Sequence, residues 1–191
     1  MRIAVISEFL PKYDKIVETL LFIAHKCSGI DQYRTVKIMY LADKLHFEKY
    51  SRPITFDVYF AFKNGPVGSN AYDLLKSNQY ALRRAKIEEL PIRLEKMDNL
   101  ILMKEPMRAI NYDLFSKSDV KILENVIDEY AHKTFGEIFD ETHEHFAYQN
   151  AWGNRIDGQK RAPMKYIDLM EDGERKAIYI EEKLPVSNFV R

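Results

Sequence analysis

Apolar residues in the amino-terminal part of the chain recur three and four positions apart, the spacing that places side chains on one face of an α-helix. A first predicted helix carries Ile16, Val17, Leu20, Leu21 and Ala24 and ends at Ser28-Gly29. A second is predicted over about residues 31–50, and Arg52-Pro53 ends it because proline lacks the amide hydrogen that a continuing helix needs. The predicted buried stripe of this helix comprises Val36, Met39, Tyr40, Asp43 and Phe47.

The pattern changes in residues 54–62, where apolar side chains occupy alternate positions. A period of two predicts an extended segment with one apolar face. Asn64-Gly65-Pro66 then predicts a turn that sets the angle of the next helix, which Ser69 caps and which runs to about Tyr80.

The second half of the chain contains signals for a hairpin and for further helices. The apolar runs 92–96 and 100–104 flank Met97-Asp98-Asn99 and predict a small β-hairpin. Two residue pairs then have the spacing of a capping box, in which a side-chain oxygen satisfies an amide of the first helical turn. These pairs are Ser116 with Asp119 and Thr134 with Glu137.

These elements predict a mainly α fold, a compact helical domain with a small β-hairpin, with an α+β arrangement as the alternative. We expect one domain over residues 1–183 and a loosely held tail over residues 184–191. Residues 154–160 are predicted as a loop and residues 164–170 as a short helix. A chain of 191 residues can build a hydrophobic core without disulfides or metals.

Charge and composition narrow the classes of partner. Lys and Arg number 29, as do Asp and Glu, so the formal net charge is zero. Because phosphate neutralisation drives nonspecific nucleic-acid binding, this balance makes nucleic acid an unexpected partner. Arg83, Arg84 and Lys86 form a small basic group, which we interpret as a solvated helix end. The apolar runs are too short to span a membrane, so we expect a cytoplasmic protein without a membrane partner.

Potential catalytic and metal-binding groups do not form a recognisable constellation. His143 and His145 are two positions apart and diverge on a helix, so we expect no metal site. We predict that His143 packs and forms hydrogen bonds and that His145 faces solvent. Cys27, the single cysteine, is expected to be structural and unconnected to His25. We therefore predict no enzyme activity and no cofactor.

Lys37 and Asp43 stand out because both are charged residues in an apolar helix. The favoured interpretation is a buried ion pair or a helix-capping contact, since an unpaired buried charge is costly. The alternative is that they are polar anchors in a groove for a partner.

Two stretches of the chain resemble the Panacea domain, the SocA-like antitoxin family. They are TVKIMYLADKLHFEKYSRPITFDVYFAFKNGPVGSNAYDLL, and SKSDVKILENVIDEY followed by TFGEIFDETHEHFAYQNAW. The resemblance covers residues 12–170 and leaves the 90–110 hairpin without a matching motif. The matching residues that we take as partner-binding or family-motif positions are Lys37, Tyr40, Asp43, Gly65, Pro66, Val67, Tyr72, His143 and Trp152.

The resemblance implies a phage- or mobile-element-associated antitoxin that neutralises a cognate toxin protein by direct contact. It also implies, as a second mode of action, an adaptor that delivers the toxin to a protease. The competing hypotheses are a DNA-binding regulator, with the hairpin as a wing, and an enzyme that uses His143, Glu141 or Asp43.

Overall fold

The long central helix of the chain begins where the side chain of Asp31 accepts a hydrogen bond from the amide of Arg34 and ends at Ser51, whose φ is 56°. The computed structural model describes residues 9–187. Its helices are α1 (Tyr13–Lys26), α2 (Gln32–Tyr50), α3 (Ser69–Leu75), α4 (Gln79–Ala85), α5 (Lys117–Tyr130), α6 (Phe135–Glu144), α7 (Phe146–Gly153) and α8 (Gly173–Ser187). The predicted mainly α fold is therefore confirmed.

The core is organised around α2, which packs against α1, α3, α5 and α6. Polar as well as apolar side chains of α2 are buried, because neighbours surround it on several sides. The two capping boxes predicted for α5 and α6 are present: Ser116 accepts from the amide of Asp119, and Thr134 accepts from the amide of Glu137. Among residues 9–187, no helix is both long enough and apolar enough to cross a bilayer.

Two small antiparallel sheets complete the described part of the chain. The strands are β1 (Ile30–Asp31), β2 (Tyr59–Phe62), β3 (Gly65–Gly68), β4 (Ile92–Met97), β5 (Leu100–Pro106) and β6 (Arg161–Pro163). One sheet has the order β1-β5-β4 and contains the predicted hairpin; the other has the order β3-β2-β6. In the second sheet Phe62 is opposite Gly65, and Ala61 is opposite Ala162.

The region between α2 and α4 differs from its prediction. Of the predicted extended segment, only Tyr59–Phe62 forms a strand. Gly65, Pro66 and Val67 belong to β3, so they are not the turn, which lies at residues 63–64. The single helix predicted from Ser69 to about Tyr80 is wrong, because Asn78 caps a separate helix through the amides of Tyr80 and Ala81.

The carboxy-terminal part also differs from its prediction. The predicted helix over residues 164–170 is a single 3-10 turn, Tyr166–Leu169. Helix α8 was not predicted, and it includes residues 184–187 of the expected tail. Residues 188–191 lie outside the described residues.

Candidate functional site

The β2–β3 hairpin is fixed to α2 by a buried lysine. Nζ of Lys37 donates a hydrogen bond of 2.6 Å to the carbonyl oxygen of Pro66. Lys37 is fully buried, and this burial lowers the pKa of its ammonium group well below the ordinary value. A Cβ atom on Gly65 would lie 2.7 Å from this Nζ and 3.1 Å from Oγ1 of Thr142. Lys37, Gly65 and Pro66 therefore form a closely packed scaffold below the surface.

Asp43 holds the segment that precedes β2. Its Oδ1 accepts hydrogen bonds from the amides of Ile54 (2.8 Å) and Thr55 (2.9 Å), and its Oδ2 accepts from the hydroxyl of Tyr59 (2.8 Å). The predicted buried ion pair is wrong, because neither Lys37 nor Asp43 has an oppositely charged side chain within ion-pair distance among residues 9–187. The predicted capping contact is also wrong, since the amides that Asp43 binds belong to no helix. Both side chains are fully buried and do not line a surface groove.

Asp57 is a second buried carboxylate, which the sequence analysis missed. It accepts hydrogen bonds from the amides of Asn70 (3.0 Å) and Ala71 (3.0 Å), in the first turn of α3. Burial is the largest influence on this group and raises the pKa of Asp57 to about 6. A Cβ atom on Gly68 would lie 2.5 Å from its Oδ2, so the strand must approach without a side chain there. The available signal was a single carboxylate inside the apolar run ITFDVYFAF.

A third buried carboxylate, Asp119, joins α1, α2 and α5. It accepts from Nζ of Lys15 (2.6 Å) and from the guanidinium of Arg52 (2.9 Å), and Nε2 of His46 lies 3.0 Å away. Burial alone would raise the pKa of Asp119, but the hydrogen bonds from His46, Lys15 and the amide of Ser116 outweigh it and hold the pKa well below the usual range. These contacts tie α5 to α1 and to the carboxy-terminal end of α2.

A continuous series of ring contacts extends from α2 across α6 to α7. Neighbouring ring centroids are 4.4 Å apart for Tyr33 and Phe135, 5.6 Å for Phe135 and Phe139, and 3.7 Å for Phe139 and His143. The series continues at 4.3 Å from His143 to Tyr148 and at 6.2 Å from Tyr148 to Trp152. We call this set, Tyr33, Phe135, Phe139, His143, Tyr148 and Trp152, the ring array.

The ring array is attached to the end of β2 by two polar contacts. Nε2 of His143 lies 3.2 Å from the carbonyl oxygen of Lys63, and the hydroxyl of Tyr148 donates to the carbonyl oxygen of Phe62 at 3.0 Å. The prediction that His143 packs and forms hydrogen bonds is confirmed. The prediction that His145 faces solvent is wrong: it is half-buried, its Nδ1 lies 3.1 Å from the hydroxyl of Tyr40, and burial lowers its pKa.

Much of the ring array is accessible. Phe135 is 49% exposed, and Tyr33, Phe139, His143 and Trp152 are half-buried, whereas Tyr148 is buried. Val67 and Tyr72, also half-buried, line a pocket of about 270 Å³ together with Tyr33.

The predicted site residues therefore separate into two groups. Lys37, Tyr40, Asp43, Gly65 and Pro66 are buried and shape the hairpin region. Val67, Tyr72, His143 and Trp152 reach the surface at the ring array or its adjoining pocket. Phe135 and Phe139 were missed as site residues; the available signal was that Phe135, Phe139 and His143 follow one another at intervals of four on α6.

No hydrogen bond joins Cys27 to His25 among the described residues. Burial raises the pKa of the Cys27 thiol, and Nε2 of His25 lies 2.8 Å from the carbonyl oxygen of Arg108. A group of three or more His, Cys, Asp or Glu side chains arranged to hold a metal ion is not found among the described residues.

These contacts define the class of the protein: it is a helical domain that presents aromatic side chains beside a tightly packed hairpin. Comparison with protein families then gives a specific result: the family described as "Antitoxin SocA-like, Panacea domain" matches residues 36–149. The chain belongs to this family. The matched residues run from α2 into α7, a shorter range than the resemblance over residues 12–170. No curated protein and no solved structure matches the chain.

Proposed function

We propose that this chain is an antitoxin that neutralises a toxin protein by direct contact and acts by binding, not by catalysis. The ring array is the proposed contact surface. The observation that carries the proposal is that three accessible rings of the array, Phe135, Phe139 and His143, lie within residues 36–149, which match an antitoxin family.

The chemistry of the ring array supports a role in protein binding. Aromatic side chains concentrate binding energy at interfaces because they bury a large area with few rotatable bonds. The contacts of His143 and Tyr148 with the backbone of Lys63 and Phe62, at the end of β2, hold these rings in place before a partner arrives. A surface that is ordered in advance loses less conformational entropy on binding.

The adjoining pocket adds apolar area beside the ring array. The ring of Tyr33 belongs to both the array and the pocket, so a partner that covers the array also meets the pocket. Val67 and Tyr72 supply the apolar surface of the same pocket.

The DNA-binding alternative receives less support. Arg93 pairs with Glu105 at 3.3 Å and Lys104 pairs with Glu95 at 3.1 Å across the β4–β5 hairpin. These carboxylates offset the cations that a DNA-contacting wing would present to phosphates. Salt-sensitive binding to promoter DNA of its own locus, measured by anisotropy, would favour the alternative.

A growth assay tests neutralisation directly. The chain is co-expressed with the protein encoded beside it in its native genome, and growth is compared for wild type, Phe135→Ala and Tyr80→Ala. Tyr80 is a matched control, an aromatic residue that is 62% exposed on α4, which packs against α1 and α3. We expect rescue by wild type and Tyr80→Ala, and weaker rescue by Phe135→Ala.

Two results would contradict the proposal: no rescue by wild type, or equal rescue by both variants and wild type. An immunoblot of the toxin in the same cells separates the two modes of action. Direct neutralisation leaves the amount of toxin unchanged, whereas delivery to a protease lowers it.

A further inference from the structure

A second surface feature begins where the ring array ends. A groove of about 860 Å³ lies between α7, the loop over residues 154–160 and β6. Phe60 of β2 and Ala151 of α7 contribute apolar surface to it, and Ile156, which is 60% exposed, stands in the loop that borders it.

The groove is lined by four cationic side chains, all exposed. They are Arg155, Lys160, Arg161 and Lys165. None of the four has a carboxylate within ion-pair distance in the part of the chain that the structure describes. Asp168 is the carboxylate among the lining residues, and it is already engaged by Nδ2 of Asn150 at 2.9 Å and Nζ of Lys176 at 3.5 Å. The groove therefore carries a concentrated positive charge in a chain whose formal net charge is zero.

Two of these cations lie against aromatic rings. The guanidinium of Arg155 is 4.0 Å from the ring centroid of Trp152 and donates to the Trp152 carbonyl oxygen at 2.8 Å. The guanidinium of Arg161 is 4.5 Å from the ring centroid of Phe60. These contacts orient the guanidinium planes, which can then bind a carboxylate through two parallel hydrogen bonds.

Apart from Phe60, the residues that line the groove follow residue 149, where the family match ends. The groove is thus a feature of this chain beyond the matched region. It nevertheless adjoins the ring array, because Arg155 rests on the last ring of the array, Trp152. A partner that covers the array would also meet the groove.

We infer that the groove binds an acidic segment of a protein partner, with its carboxylates at Arg155, Lys160, Arg161 and Lys165 and its apolar side chains against Phe60 and Ile156. The inference rests on the proposed function in one respect: it takes the toxin as the partner that carries the segment. A nucleic acid fits the groove less well, because bases stack on open aromatic faces and guanidiniums already cover Phe60 and Trp152.

Binding of defined probes to the purified full chain tests the charge preference without a toxin. The probe is a fluorescently labelled peptide of alternating glutamate and phenylalanine, and its affinity is measured by anisotropy at several salt concentrations. A peptide of alternating lysine and phenylalanine and an oligothymidylate DNA are the comparison probes. We expect binding of the acidic peptide that weakens as salt rises.

Charge reversal locates the binding. The double variant Lys160→Glu/Lys165→Glu changes two exposed groove cations, and Arg83→Glu/Lys96→Glu makes the same change of net charge on α4 and β4. We expect the groove variant to lose about tenfold or more in affinity for the acidic peptide and the control variant to lose much less. Circular dichroism of each variant verifies that the chain is folded.

The peptide-binding assay and the growth assay can fail independently, so the acidic-segment inference and the antitoxin proposal are tested separately. Equal loss in both variants, or binding of DNA in place of the acidic peptide, overturns the inference and leaves the growth assay as the test of neutralisation. If the acidic peptide binds as expected while the growth assay shows no rescue, the groove is supported and the antitoxin proposal fails.

Discussion

Replacing Gly65 with alanine adds a methyl group at a crowded position where the hairpin meets α2. The φ of Gly65 is +95°, a conformation that residues with a Cβ rarely adopt. Left-handed backbone strain of this kind costs about 1–2 kcal/mol. The new methyl would also lie 2.7 Å from Nζ of Lys37, so the lysine must move away from the carbonyl oxygen of Pro66. Disrupting a buried hydrogen bond costs about 1–3 kcal/mol further.

We therefore expect Gly65→Ala to lower the free energy of unfolding by about 2–5 kcal/mol, measured by urea denaturation. Gly29→Ala and Gly158→Ala are matched controls, because their φ values are +82° and +81° and an added Cβ would meet no atom within 4 Å. These controls carry the backbone strain without the steric clash and should lose about 1–2 kcal/mol. Equal losses at Gly65 and Gly158 would refute the argument that Lys37 makes glycine necessary here.

The remaining predictions concern the buried carboxylates and one helix cap. Because the pKa of Asp57 is raised from 3.8 to about 6 in the folded chain, the folded state holds a proton that the unfolded state releases as pH rises through this window. This group should therefore lower the free energy of unfolding by about 3 kcal/mol as pH rises from about 4 to about 6. Urea denaturation of Asp57→Asn at several pH values should lack that part of the pH dependence. Asp119→Ala leaves buried Lys15 without its carboxylate and should cost about 3–5 kcal/mol in urea denaturation at neutral pH. Ser116→Ala removes the hydroxyl that caps α5 and contacts Arg52 and Ser118 but leaves the carboxylate, and it should cost about 1 kcal/mol. An equal loss for both variants would contradict the role given to Asp119.

The elements that local chemistry determines were predictable from the sequence. The capping boxes at Ser116 and Thr134 place the first turns of α5 and α6, because each box involves residues three positions apart. The β4–β5 hairpin was predictable because its strands are neighbours in sequence with a short turn between them.

Elements that depend on distant parts of the chain were not predictable in this way. Strand β6 has three residues, one of them Pro163, and it forms because β2 offers its edge. The separation of α3 from α4 depends on Asn78, whose side chain competes with the helical backbone to cap a new helix.

In the candidate site, too, individual residues were predictable from the sequence but their contacts were not. The sequence pointed to the charged residues Lys37 and Asp43, but their true partners, Pro66 and residues 54–59, are known only once the chain is folded. His143 and Trp152 were predicted as motif residues, whereas the ring array that joins them requires Tyr33 from a different helix. The groove cations lie among polar residues between positions 155 and 165, whereas the groove also needs Phe60 of β2, which the pairing of β6 with β2 places beside them.

The central claim, that this chain binds a partner protein through the ring array, is tested most directly by tagged pull-down from the native host with quantitative mass spectrometry. Wild type, Phe135→Ala and Tyr80→Ala are compared in parallel after each is shown to be folded. The account predicts that wild type and Tyr80→Ala recover one neighbour-encoded protein in near-equal molar amount and that Phe135→Ala largely loses it. Recovery of no such protein by folded wild type, or equal recovery by all three, would contradict it.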